Sequence, residues 1–117
     1  YENVLELMRS MIPRDDHRTE EIVMDRYLAS VDPKVNEARP RITGPREDIS
    51  GELPKILQPT LIIWGIHERD VPLDMGLRAA SLIPNARFHV FGDKTGHFPN
   101  IERASEFNRL IIDFLSH

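Results

Sequence analysis

The chain of 117 residues carries 15 Lys and Arg against 19 Asp and Glu, a formal net charge of −4, and no stretch forms a basic stripe that would suit nucleic acid. Its 40% hydrophobic and 29% charged residues are those of an ordinary soluble domain, with no apolar run near the roughly 18 residues of a membrane span and no visible signal peptide. The lack of cysteine excludes disulfides, cysteine nucleophiles and thiolate metal sites, and fits a reducing cytosol.

The first half reads as helices. Glu2 to Ile12 sets Val4, Leu5, Leu7, Met8, Met11 and Ile12 along one broad face, and Pro13 ends it. Beyond the polar turn Arg14-Asp15-Asp16-His17-Arg18, Thr19 can cap a second helix. Its first turn holds Glu20 and Glu21, favoured at the positive end of the helix dipole. This helix continues through Ile22, Val23, Arg26, Tyr27 and Leu28 to Ser30. Asp32-Pro33 is a cap followed by proline at the first helical position, and starts a shorter helix that ends before Pro40. Arg41 to Ser50 holds Gly44 and Pro45 among charged residues and reads as a linker, dividing the chain into 1–49 and 50–117. Ser50 to Leu57 contains a short turn of helix.

The second half has the pattern of an α/β unit. Pro59 to Gly65 is an apolar run with a glycine stop, which predicts a strand buried on both faces. Ile66-His67-Glu68-Arg69-Asp70-Val71-Pro72 then puts carboxylates just past its carboxyl end, where open α/β sheets hold their ligands. Leu73, Leu77, Leu82 and Ile83 form a core-facing helical stripe before the strand Arg87 to Phe91. The loop after that strand ends Thr95-Gly96-His97-Phe98, and Phe107, Leu110, Ile111, Phe114 and Leu115 make the apolar face of a final helix. Two strand ends thus present an acid and then a histidine, in the order of the later two members of a Ser, Asp/Glu, His triad. With two strands alone, both edges of the sheet would be open.

At these residues the chain resembles the α/β-hydrolase family, and within it the meta-cleavage-product hydrolases, which split carbon–carbon bonds in ring-opened aromatic compounds. The resemblance rests on Trp64-Gly65, Arg69, Val71-Pro72, Asp74, Gly76-Leu77, Ala86-Arg87, His89-Val90-Phe91, Gly96-His97 and Glu106-Phe107-Asn108-Arg109-Leu110. It implies an α/β class, the C-terminal portion of an α/β-hydrolase fold. Residues 1–49 would be the end of the helical lid with its linker, and residues 50–117 the last parallel strands and helices of the core sheet.

The same resemblance implies His97 as catalytic base and Glu68, three residues past Gly65, as the acid that orients it. The family carries aspartate there, and the extra methylene of glutamate moves the carboxylate by about one bond length. Asp70, two residues later, is therefore the alternative acid if the loop shifts; Ile66 and His67 replace the preceding arginine and aspartate of the family. Arg26, followed by Tyr27, stands at the lid arginine that holds the substrate carboxylate, a role suited to a planar guanidinium. Phe98 would line the pocket. Ser10, Ser30, Ser50, Ser81, Ser105 and Ser116 all lack the Gly-x-Ser-x-Gly setting, so the nucleophile would come from a missing N-terminal half and this chain alone would be inactive. The family needs neither metal nor organic cofactor.

Other residues read as structural. His89 lies mid-strand, and His17, His67 and His117 are too scattered to make a metal site. Gly65, Gly92 and Gly96 have the wrong spacing for a phosphate-binding loop. The expected function is therefore part of a cytoplasmic serine-type hydrolase of 2-hydroxy-6-oxo-dienoates, with a small-molecule carboxylate as partner and neither nucleic acid nor membrane. An esterase on the same scaffold is the first alternative. A non-catalytic interaction polypeptide is the second, its sheet completed by another chain or by a copy of itself.

Overall fold

The structure, a computed structural model, describes every residue except Thr43, which falls in the expected linker and so lies outside the described residues. Helices α1 (Glu2–Met11), α2 (Glu20–Val31) and α3 (Pro33–Ile42) form a helical arm. A single 3₁₀ turn at Leu53–Lys55 leads into β1 (Thr60–Gly65), α4 (Leu73–Leu82), β2 (Ala86–Phe91), α5 (Pro99–Glu102) and α6 (Ala104–Ser116).

The arm is held by apolar packing between α1 and α2. Met8, Ile12 and Val23 are 2%, 0% and 2% exposed, with Val4, Leu5, Met11, Ile22 and Phe98 closing around them. Burying side chains of this size contributes about 1.5–3 kcal/mol each. Thr19 accepts the Ile22 N–H at 3.4 Å, and Glu20 and Glu21 occupy the first turn of α2. Tyr1 meets Tyr27 edge to face at 5.7 Å.

α3 departs from expectation by running through Pro40 to Ile42. Proline there deletes a single helical hydrogen bond in the last turn, a smaller loss than at mid-helix. Asp32 secures the opposite end by accepting the Lys34 N–H at 2.8 Å.

β1 and β2 pair in parallel, from Thr60 opposite Ala86 to Gly65 opposite Phe91, and no third strand joins them among the described residues. α4 lies against one face at Gly76, where a Cβ would come within 2.8 Å of the Trp64 ring and 3.0 Å of Phe88. Glycine is required there by the closeness of helix to sheet. Trp64 and Phe88 meet edge to face at 6.4 Å, and the indole N–H donates to the Val71 carbonyl at 3.0 Å. α6 covers part of the other face, with Arg87 of β2 lying over the Phe114 ring at 5.8 Å.

Two expectations about burial fail here. β1 is half-buried along its length, with Gly65 alone fully buried, instead of being covered on both faces. Leu77 and Leu115 are 52% and 76% exposed, although both belong to the apolar stripes of α4 and α6. Two strands offer too narrow a surface to reach the outer rows of those stripes. Among the described residues, no helix is long and apolar enough to cross a membrane.

Candidate functional site

The two loops that leave the carboxyl ends of β1 and β2 are fastened to each other by their backbones. The Ile66 N–H donates to the Phe91 carbonyl at 2.9 Å and the His67 N–H to the Thr95 carbonyl at 2.8 Å. Gly65 makes this approach feasible, since a Cβ there would lie 2.1 Å from the Gly96 carbonyl oxygen. After β2 the chain reverses over Gly92 to Thr95, closed by Thr95 N–H to Gly92 carbonyl at 3.1 Å. Asp93 and Lys94 take φ values of 50° and 57° in this turn. Aspartate adopts that region readily, whereas lysine does so at a cost of about 1–2 kcal/mol. The turn buries Thr95 completely, its hydroxyl donating to the Gly92 carbonyl at 2.6 Å.

On this frame Glu68 meets His97. One carboxylate oxygen of Glu68 hydrogen-bonds the imidazole Nδ1. The other accepts the N–H groups of Asp70 at 2.7 Å and Val71 at 3.2 Å. The Glu68 side chain is 7% exposed and that of His97 30%. A carboxylate held at both oxygens, with an imidazole donating to it, fixes the ring's orientation and its tautomer. Nε2 is then the ring nitrogen that Glu68 leaves free to act. A cleft of about 210 Å³ opens beside the pair, walled by Trp64, Val71 and Pro99. Asp70, the alternative acid, is exposed, and it contributes its backbone N–H to Glu68 instead of a carboxylate to His97.

The backbone around His97 is held just as fully. Gly96 N–H donates to both oxygens of Glu102, at 3.0 and 2.9 Å, and Phe98 N–H to one of them at 3.1 Å. His97 N–H donates to the Met11 carbonyl at the end of α1, at 2.7 Å. Glu102 is 5% exposed, and nothing in the sequence pattern distinguished it. Its one available signal was an acid on a short proline-led turn just after Gly-His.

The helical arm reaches the same loop through Arg14. Its guanidinium bonds Asp16 at 2.9 and 2.6 Å and also pairs with Asp93 of the β2 turn. Arg14 holds the Asp16 carboxyl down from 3.8 to about 2.

Arg26 is exposed and, among the described residues, has no ion pair. It shares a cavity of about 330 Å³ with Asp25, Met8, Phe98 and Ile101. Phe98 also packs edge-on against the His97 ring at 4.8 Å, so it adjoins both the cavity and the Glu68–His97 pair. His89 packs on Phe91 at 4.6 Å inside the sheet half. Among the described residues, no three His, Asp or Glu side chains group so as to hold a metal ion.

No protein-family model matches the chain. It is 35% identical over 121 aligned residues to the 2-hydroxy-6-oxononadienedioate/2-hydroxy-6-oxononatrienedioate hydrolase of Cupriavidus pinatubonensis, covering 99% of this chain and 42% of that protein. The hydrolase of the same name from Paraburkholderia phymatum is 37% identical over 119 residues, covering 97% and 41%. A solved meta-cleavage product hydrolase from Pseudomonas fluorescens IP01 gives a TM-score of 0.85 at 30% identity, covering 98% of this chain and 45% of that one. An esterase from Exiguobacterium antarcticum, at a TM-score of 0.79 and 18% identity, shares the fold. The chain thus spans less than half the length of the relatives it matches, and corresponds to their C-terminal part.

Proposed function

From the premise that this chain is the C-terminal portion of an α/β-hydrolase fold, with meta-cleavage-product hydrolases as its homologues, we propose that it supplies the base and the acid of a serine hydrolase that cleaves a carbon–carbon bond in 2-hydroxy-6-oxo-dienoates. The observation that carries this reading is the Glu68–His97 hydrogen bond, set at the carboxyl ends of two adjacent parallel strands beside an open cleft.

In this reading His97 Nε2 takes the proton of a serine contributed by the part of the fold that precedes these residues. It gives that proton to the leaving carbon fragment, then takes one from the water that hydrolyses the acyl-serine and returns it to the serine oxygen. Glu68 keeps the imidazole in the productive tautomer and stabilises the imidazolium that forms. The glutamate's extra methylene is absorbed by anchoring its second oxygen on the Asp70 and Val71 amides. Arg26 receives the dienoate carboxylate by a bidentate bond and Phe98 forms the wall between that end and the base. Residues 1–49 serve as the end of the lid with its linker, and residues 50–117 as the end of the core. The absence of cysteine suits a cytoplasmic enzyme.

A chimera tests this directly. The preceding part of the Cupriavidus hydrolase is joined to these 117 residues, and loss of the dienoate chromophore is followed. Turnover in the chimera, abolished by His97→Ala, is the expected result. A chimera that folds cooperatively yet leaves the dienoate intact while hydrolysing simple esters would move the assignment to an esterase. A folded chimera inert towards both would sink the catalytic reading.

A further inference from the structure

We propose that Glu102 is the positioning residue for His97, fixing the backbone on both sides of the imidazole-bearing residue. The inference rests on the reading of His97 as the base and goes beyond it. Glu102 is a buried carboxylate with no cationic side chain paired to it among the described residues. Burial of such a group is costly unless hydrogen bonds replace its water. Here they come from the main chain, at Gly96 and Phe98, the two neighbours of His97.

The geometry makes a closed ring. α5 is one turn long, begun by Pro99, and the N–H groups of Ile101 and Glu102 return to the Phe98 carbonyl at 2.9 and 2.8 Å. That turn brings the Glu102 side chain back under residues 96–98. Three successive amides then have alternating owners. Those of Gly96 and Phe98 go inward to Glu102, and that of His97 goes outward to Met11 of the arm. Fixing the peptide planes before and after His97 fixes the direction of its Cα–Cβ bond, and with it the position of Nδ1 against Glu68. A site must be held within about 0.5 Å of its productive geometry to function. Glu102 neither touches the cleft nor the imidazole, so its effect passes through the loop.

The test uses the 117-residue chain and the chimera together. In the proton NMR spectrum of the chain, the hydrogen between Glu68 and His97 Nδ1 should give a far-downfield resonance. Glu102→Ala should abolish that signal, and Glu102→Gln, which keeps one accepting oxygen, should retain part of it. Ile83→Ala serves as a control of matched loss in melting temperature, and should keep the signal. In the chimera, Glu102→Ala should lower kcat by about 10²-fold with little change in KM, the size expected for a base displaced by an ångström.

A native downfield signal in Glu102→Ala, or an equal loss in the control, overturns the positioning role. Should Glu102→Ala fail to fold, Glu102→Leu, similar in size but without an acceptor, decides, and full native intensity in that variant overturns the proposal. A chimera whose turnover survives His97→Ala would instead remove the base assignment, while the NMR result still tells whether Glu102 orders the loop.

Discussion

The helical arm and the strand half are held together by different forces. In the arm, Met8, Ile12 and Val23 are almost fully enclosed, and few polar contacts are needed to place α1 on α2. In the strand half, Ile83 and Phe91 are the buried apolar residues, while Met75, Leu77, Ile112 and Leu115 stand largely exposed. What is well determined there is polar: Glu68 on His97 and on two amides, Glu102 on two amides, and the backbone bonds between the loops. The site therefore owes its geometry to hydrogen bonds in low-dielectric surroundings, where each is strong and each unpaired group is costly. Apolar area does little of that positioning.

This contrast can be broken at the polar end first. Glu68→Gln in the chimera should reduce turnover by about 10⁴-fold, because the amide cannot hold the imidazole in its tautomer or stabilise its cation. Circular dichroism of the variant should stay native. The apolar end offers a paired measurement. Met8→Ala should cost about 2–5 kcal/mol in urea unfolding, whereas Leu115→Ala should change stability by less than about 0.5 kcal/mol. Equal effects from the two would show that the helical arm and α6 are buried alike.

Smaller effects sharpen the picture. Gly76→Ala should destabilise by about 1–3 kcal/mol, since the new methyl meets the Trp64 and Phe88 rings. A thermal melt reads that. Lys94→Gly should raise stability by about 1 kcal/mol by relieving a left-handed lysine. An unchanged melting temperature would mean that the turn carries no strain. The smallest effect is that of acid. The Asp16 carboxyl is lowered to about 2 by Arg14, so its contribution is fully present above 3.8 and is lost as pH falls from 3.8 through 2. Asp16→Asn should flatten the stability profile in that window, lowering stability slightly at neutral pH and leaving it unchanged below about 2.

Much of this molecule was legible before its structure. Periodicity located α1, α4 and α6, and capping signals located the start of α2. An apolar run with a glycine stop located β1, and the segment Arg87 to Phe91 was legible as β2. Periodicity gives the apolar face of a helix but not what lies opposite, and so Leu77 and Leu115 were misread. The choice between Glu68 and Asp70 stayed open in sequence because both follow Gly65 within one loop. In the structure it is Glu68 that hydrogen-bonds His97, while the Asp70 amide donates to Glu68. Glu102 was invisible for another reason. Its burial depends on a single turn, Pro99–Glu102, which is too short to carry a period. Proline inside α3 misled because its penalty depends on position in the helix.

The bond from His97 N–H to the Met11 carbonyl has a mechanical meaning. Gly96 sits so close to α1 that a Cβ would strike the same carbonyl at 2.2 Å, and Arg14 ties the following turn to Asp93. The arm is thus stitched at its root to the very loop that carries the imidazole. Any swing of α1 that stretches this stitch also drags His97 away from Glu68. The root of the arm acts as an axle fixed in the site, and movement that preserves the Glu68–His97 bond has to take place farther out along α2 and α3.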